Sequence, residues 1–460
     1  MFFGTAILGL PGVLMGLAIG IGTIWDATTD PFVGHMSDNT RSRVFGKRHG
    51  YILFGCIAVA VVNYLLWSIP LGWSVWAKFG ALTALLLVIE TFNTVYSTPY
   101  GALGLDLAKS YNERTAIQGY KTSFSFLSLL VPSILMMVFL SPTNYITMGA
   151  TVVGYQKIAL FTGVLCVLCG LVCFFGTYKY RPVHRAPEAI TYSPLDRVSL
   201  RCTRLYGLSG EQEIAPLGHS GNGKNSFKSI IADFFAILGQ RGVKLLILGY
   251  AVSLSAGAFI TSLGLHVFTF TFGFTTVEIS VVMVCLIAGI VLGQPLWFAI
   301  SKKRDKPTAL LMSLGLVIVA ILAFAVILCF RNAISPAQVM PLVAFVIFVC
   351  GVGTGCLYSL PISMFADMVD ANNKKTGVDK TAKAAGFLTF CTKISNAFIM
   401  FVIGVSLDLV GFNGNSAVQS LWTQNWLGGL LVAGVGVARV FAIVIYSKIS
   451  LSTTTRGREN

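Results

Sequence analysis

Two carboxylates four residues apart, Asp26 and Asp30, stand inside the apolar run IGTIWDATTDPFVG. That spacing places both on one face of a helix. A pair so close is self-repelling unless a cation or a proton neutralises it. Hard oxygen ligands suit sodium, and a shared proton would serve as well. Pro31 follows directly and removes a backbone donor, which frees carbonyl oxygen beside the pair. The competing reading is a structural salt bridge to a buried base on another helix.

A second polar stripe lies in VIETFNTVYSTPYGAL, where Glu90, Thr94 and Ser97 follow i, i+4, i+7 spacing. Lys393, in GFLTFCTKISNAF, is the only lysine deep within the apolar runs of the second half. Depth can be read by counting at about 1.5 Å per residue. Asp30 precedes Arg41 by about 16 Å of helix, Thr94 precedes Asp106 by about 18 Å, and Lys393 follows Lys383 by about 15 Å. These groups meet at one level, and a buried ammonium there needs a carboxylate partner. Asp367 and Asp370, just before NNKKTG, are expected to join an ion-pair network at a cytoplasmic gate, with Asp38 and Arg41 on the opposite half. Arg439, high in the last apolar run, is expected to snorkel. Cys166, Cys169 and Cys173 share one stripe and suit packing better than a metal. GVGTG at 351–355 follows no strand, so close helix packing explains it better than phosphate binding. No Ser/His/Asp constellation or P-loop is present, and neither an enzymatic role nor a cofactor is expected.

The elements that must carry these residues follow from composition. The chain has 460 residues, 55% hydrophobic and 11% charged, with a mean hydropathy of +0.77. Soluble proteins carry about 25% charged residues, so this chain is solvated mainly by lipid. The net charge of +15 falls in short clusters between apolar runs, which excludes one continuous nucleic-acid-binding face. Eleven runs are long enough to span a bilayer: 11–37, 50–69, 77–104, 121–140, 157–179, 243–271, 277–300, 308–330, 339–365, 385–410 and 425–447. In lipid they must be helices. Lysine and arginine are concentrated in alternate connections, which places the C-terminus and the long middle loop in the cytoplasm.

Residues 180–228, rich in Arg, Ser, Gly and Pro, read as a linker. The organisation expected is a bundle over 1–179, the linker 180–228, a six-helix bundle over 229–447 and a cytoplasmic tail 448–460. Eleven runs with a cytoplasmic C-terminus put Met1 on the far side, and residues 1–10 are too short to span. The expectation is an upstream extension of about 25–35 residues that supplies one more span.

At this point three stretches carry a resemblance. IWDATTDPFVGHMSDNTRSRVFGKRHGYILFG resembles the signature of the glycoside–pentoside–hexuronide:cation symporters, the melibiose-permease branch of the major facilitator superfamily. TPYGALGLDLAKSYNERTAIQGYK and LPISMFADMVDANNKKTG followed by GFLTFCTKISNAF resemble its later motifs. The resemblance implies an all-α membrane protein with two pseudo-symmetric helical bundles, eleven spans being visible and the first of the usual twelve missing. It implies a sodium or proton site at Asp26, Asp30 and Thr94, with Lys393 beside it, and a sugar-binding basic residue near Lys121. Glu90, Ser97 and Lys121 would line the substrate cavity. Two sugar-reading positions depart from melibiose permease, with Ser97 in place of an aspartate and Gly101 in place of a tryptophan. A galactoside is therefore not implied, and some animal members of the wider family carry lysophospholipids.

The reading reached is a monomeric multi-pass transporter of the plasma membrane, the inner membrane if bacterial. It couples Na+ or H+ flow to symport of a sugar, glycoside or related small polar solute by alternating access. The alternatives are a carrier of a lysolipid-like amphiphile and a non-transporting membrane scaffold or sensor.

Overall fold

The computed structural model describes the chain apart from residues 41, 43, 108–119, 122, 123, 126, 129, 141–147, 180–240, 377–380, 415, 417 and 457–460. Ten described helices are long and apolar enough to cross a membrane, and they coincide with ten of the eleven expected runs. The other run, 121–140, holds a shorter apolar helix, Leu130–Phe139. The expected linker 180–228 lies wholly outside the described residues.

In the first half, a π-helical turn at Phe3–Ile7 leads through Gly9, whose φ of 67° permits a sharp reversal. Pro11 then opens α1 (Gly12–Asn39), which continues unbroken through Pro31. The next helices are α2 (His49–Leu66), α3 (Val75–Leu107), α4 (Leu130–Phe139) and α5 (Met148–Tyr178). Helix α3 packs on both α1 and α2, and α5 packs on α2 and α4. Cys166 approaches the Cys56 carbonyl, and Gly170 leaves room for the Cys56 thiol, so this cysteine stripe serves helix packing.

The second half contains α6 (Arg241–His266), α7 (Thr276–Lys303), α8 (Lys306–Phe330), α9 (Pro336–Gly355), α10 (Leu360–Thr376), α11 (Thr381–Leu409) and α12 (Leu421–Arg456). Helices α7 and α9 touch through backbone, because a Cβ at Gly351 would lie 2.3 Å from the Leu286 carbonyl oxygen. The glycines of GVGTG thus act by letting two helices approach closely. A short 3-10 turn, Cys356–Tyr358, separates α9 from α10 within one apolar stretch, Ala337–Val369. Buried Leu, Ile, Val and Phe from α6, α7, α8, α9, α11 and α12 form the core of this bundle.

The two bundles meet mainly along α1 and α11, which run antiparallel. Their backbones come close at Gly404, where a Cβ would stand 2.2 Å from the Gly12 carbonyl oxygen. The amino end of α1 is capped from the other half. Asp408 accepts hydrogen bonds from the backbone N–H groups of Gly12 at 2.6 Å and Val13 at 2.8 Å. A carboxylate is well placed there, because it satisfies orphan amides and faces the positive end of the helix dipole. Thr5 adds a bond to His266 at 2.8 Å, and Phe2 packs edge-on against the same imidazole. Along α1, described hydrogen bonds and ion pairs to the second half run from this end to Asp30 and stop there.

Candidate cation and solute site

Helix α1 presents Asp26 and Asp30 one turn apart, and α11 brings Lys393 between them. Its Nζ lies 2.7 Å from Asp26 Oδ2 and 2.5 Å from Asp30 Oδ2. The single ammonium therefore joins both carboxylates across the bundle interface. Thr94 of α3 is fully buried and donates to Asp26 Oδ1 at 2.9 Å. Thr29 lies 3.5 Å from the Thr94 hydroxyl, and its own hydroxyl donates to the Asp26 carbonyl. Asp26, Asp30, Thr29 and Thr94 thus gather hard oxygens around one point, with two negative charges facing one positive charge. All three charged side chains keep partial exposure, at 16% for Asp26, 30% for Asp30 and 22% for Lys393. An ion could therefore reach them from water.

Glu90, one turn from Thr94 on α3, hydrogen-bonds the Asn93 side chain and lies within electrostatic reach of Asp26, Lys393 and Asp30. Trp25 is half-exposed beside Asp26, and its indole N–H donates to Thr91 at 2.8 Å. Ser97 is exposed on the next turn of α3. Lys121 reaches the same helix, with Nζ 5.5 Å from the centroid of the Tyr100 ring and directly over Gly101. Tyr96 and Tyr100 stack with centroids 5.7 Å apart. Helix α3 therefore carries polar groups and aromatic faces on a continuous stretch from Glu90 to Gly101.

Other expected residues lie elsewhere. Asp367 pairs with Lys306 at the start of α8, and Lys306 also donates to Ser363 at 2.9 Å. This pair joins elements of the second half only. Arg41 and the side chains of Asp38 and Asp370 lie outside the described residues. Arg439 corrects an expectation. It does not snorkel but is fully buried within the second bundle, with one guanidinium N–H on the Ser253 carbonyl. The α12 backbone places it too far from either end, and neighbouring helices close over it. Sequence reasoning also missed Thr29, Trp25 and Asp408. Thr29 and Trp25 sit in the quoted motif beside the aspartates, whereas nothing local to Asp408 marks its partner.

Comparison with known proteins gives this geometry its context. The model of the family described as MFS/sugar transport protein matches residues 1–201 and 219–452. The chain belongs to this family. An uncharacterised symporter of Synechocystis is 25% identical over 90% of this chain and 81% of its own length. The sodium-dependent lysophosphatidylcholine symporter 1 of chicken is 21% identical over 96% of this chain and 80% of its own. Among solved structures, a bacterial homologue of the human drug peptide transporters PepT1 and PepT2 superposes with a TM-score of 0.59. It shares 12% identity and covers 100% of this chain and 94% of that one. That likeness shows the fold alone. As an MFS/sugar transport protein, the chain is a multi-pass membrane transporter and not an enzyme.

Proposed function

We propose that this transporter is a symporter that couples the inward flow of one monovalent cation, Na+ or H+, to uptake of a small polar solute of the sugar or glycoside type. The observation that carries the reading is the bridge from Lys393 to both Asp26 and Asp30 across the two bundles. Two carboxylates against one ammonium leave one negative charge uncompensated. At 4 Å and an effective dielectric constant of 20, a unit charge there interacts by about 4 kcal/mol. A sodium ion held by Asp26, Thr94 and Asp30, or a proton on one carboxylate, removes that charge. It also weakens the hold of the carboxylates on Lys393. Lys393 is thus the positive partner of the empty site, and cation entry loosens the contact between α1 and α11. Cation and solute then favour the same conformation and so favour each other's binding.

The solute would lie along α3, where Glu90, Asn93 and Ser97 offer hydrogen bonds. Trp25 and Tyr100 offer aromatic faces, and Lys121 a basic group. The face bearing the Lys302–Lys306 cluster is taken as cytoplasmic, with the C-terminus on that side of the plasma membrane. The first bundle spans 1–179, the linker 180–228, the second bundle 229–447 and the tail 448–460, in a monomer. Asp367, Asp370, Asp38 and Arg41 would form the cytoplasmic gate.

A second reading is favoured by an apolar groove of 410 Å³ between α2 and α5, lined by Ala60, Val61, Tyr64, Leu65, Leu160, Gly163, Val164, Val167 and Leu168. An acyl chain fits such a lining, which would suit a lysolipid-like cargo. Uptake into proteoliposomes under separate sodium and proton gradients tests both readings. A panel of glycosides, sugar acids and lysophosphatidylcholine should identify one class accumulated only with a cation gradient. Equal uptake with and without any cation gradient would overturn the coupling.

A further inference from the structure

Arg439 lies at the centre of the second bundle with 0% exposure. Its Nη1 donates to the Ser253 carbonyl of α6 at 3.2 Å, while Nε and Nη2 have no hydrogen-bond partner among the described residues. The charged or ionisable groups that influence it are Cys350 of α9, Tyr358 and Cys356 of the turn after α9, and Tyr446 two turns further along α12. None is a carboxylate. The described carboxylates of this half are engaged elsewhere or far away. Glu278 caps α7, Asp367 pairs with Lys306, Asp408 caps α1, and Asp305 heads α8 at the basic face. Tyr446 is fully buried, and its hydroxyl lies beside the Ser253 side chain without a well-formed hydrogen bond among the described residues.

An arginine cannot shed its proton inside a protein. Left alone in a low-dielectric interior, its charge costs several kcal/mol even after relaxation. The carboxyl end of α9 supplies at most about half a negative charge. Buried water would satisfy the two N–H groups but not the charge. The missing component is an anion. It must be small, because Arg439 is closed off on every side by α6, α9 and α12. It must be monovalent, because one guanidinium is the whole positive charge.

We propose that Arg439 holds a resident halide-class anion, chloride being the available member, within the second bundle. Nε and Nη2 of Arg439 and the hydroxyl of Tyr446 are its donors. The anion ties α12 to α6 and to the point where α9 gives way to α10. This site is separate from the Asp26–Lys393–Asp30 cluster and does not depend on its assignment.

The test is thermal unfolding of the purified full chain in lipid nanodiscs, in sodium chloride, bromide or methanesulfonate at equal ionic strength. Chloride and bromide should raise the unfolding temperature by about 3 °C or more over methanesulfonate. Arg439→Met should abolish that difference. Tyr446→Phe should raise the half-saturating chloride concentration by about tenfold or more, as the loss of one hydrogen bond to a charged group predicts. Crystals grown in bromide should show anomalous density beside Arg439. Should Arg439→Met fail to fold, the Tyr446→Phe titration and the bromide position decide. The proposal is overturned if the parent unfolds identically in chloride and methanesulfonate, or if Arg439→Met retains the halide response. It is equally overturned if sugar acids or sulfonated glycosides, but not halides, give an Arg439-dependent shift, since the anion would then belong to the transported solute.

Discussion

Lys393 is held by two carboxylates on one helix, and the consequences of removing each partner differ. Asp26→Asn or Asp30→Asn leaves the ammonium one neutralised partner and no excess negative charge. Each should reduce cation-driven accumulation in proteoliposomes by about a hundredfold or more, with the protein still inserted; accumulation equal to the parent would show that the cation binds elsewhere. Thr94→Val removes the hydroxyl that donates to Asp26 and could ligate a cation. A lost hydrogen bond to a charged group is worth about 1.5–3 kcal/mol, so the half-saturating cation concentration should rise at least tenfold. Lys393→Gln acts in the opposite direction, because the carboxylates lose their internal counter-ion. It should tighten sodium or proton binding while slowing transport. A double-mutant cycle with each aspartate should return coupling above about 0.5 kcal/mol, and zero coupling at both positions would reassign Lys393 to Glu90.

At the scale of elements, the pairing of α1 with α11 is the contact on which alternating access would act. The amino end of α1 is fixed by Asp408, and its middle by Lys393, with glycine contacts between. Loss of a carboxylate cap costs about 0.5–2 kcal/mol. Asp408→Ala should therefore shift the protein toward conformers that open at the Met1 end, by a factor of about ten. Pulsed EPR distances between labels at Ser74 and Asn332, both exposed on the loops at that end, should gain a longer component. An unchanged distribution would mean that Asp408 is structural only. Gly404→Val should have the larger effect, since even a Cβ there collides with the Gly12 backbone.

For the whole molecule, the positive clusters predict orientation. In intact cells Ser74→Cys should react with a membrane-impermeant thiol reagent, whereas Lys303→Cys should react only after permeabilisation. The reverse pattern would invert the topology.

How much was legible depended on the kind of information. The apolar runs showed the helices, because a bilayer demands a minimum length and internal hydrogen bonding. Asp26 and Asp30 were visible as neighbours because i and i+4 share a helix face. Their common depth with Thr94 and Lys393 was visible because rise per residue is constant. What counting cannot supply is which faces of separate helices turn toward one another. That is decided by packing, where small residues such as Gly12 and Gly404 let two backbones touch. Only the tertiary structure therefore placed one ammonium between two carboxylates, gave Asp408 to a helix nearly four hundred residues away, and joined Asp367 to Lys306. It also buried Arg439, which depth alone had assigned to the membrane surface. Axial position adds along one chain, whereas rotation about each axis is fixed by neighbours that lie far off in sequence.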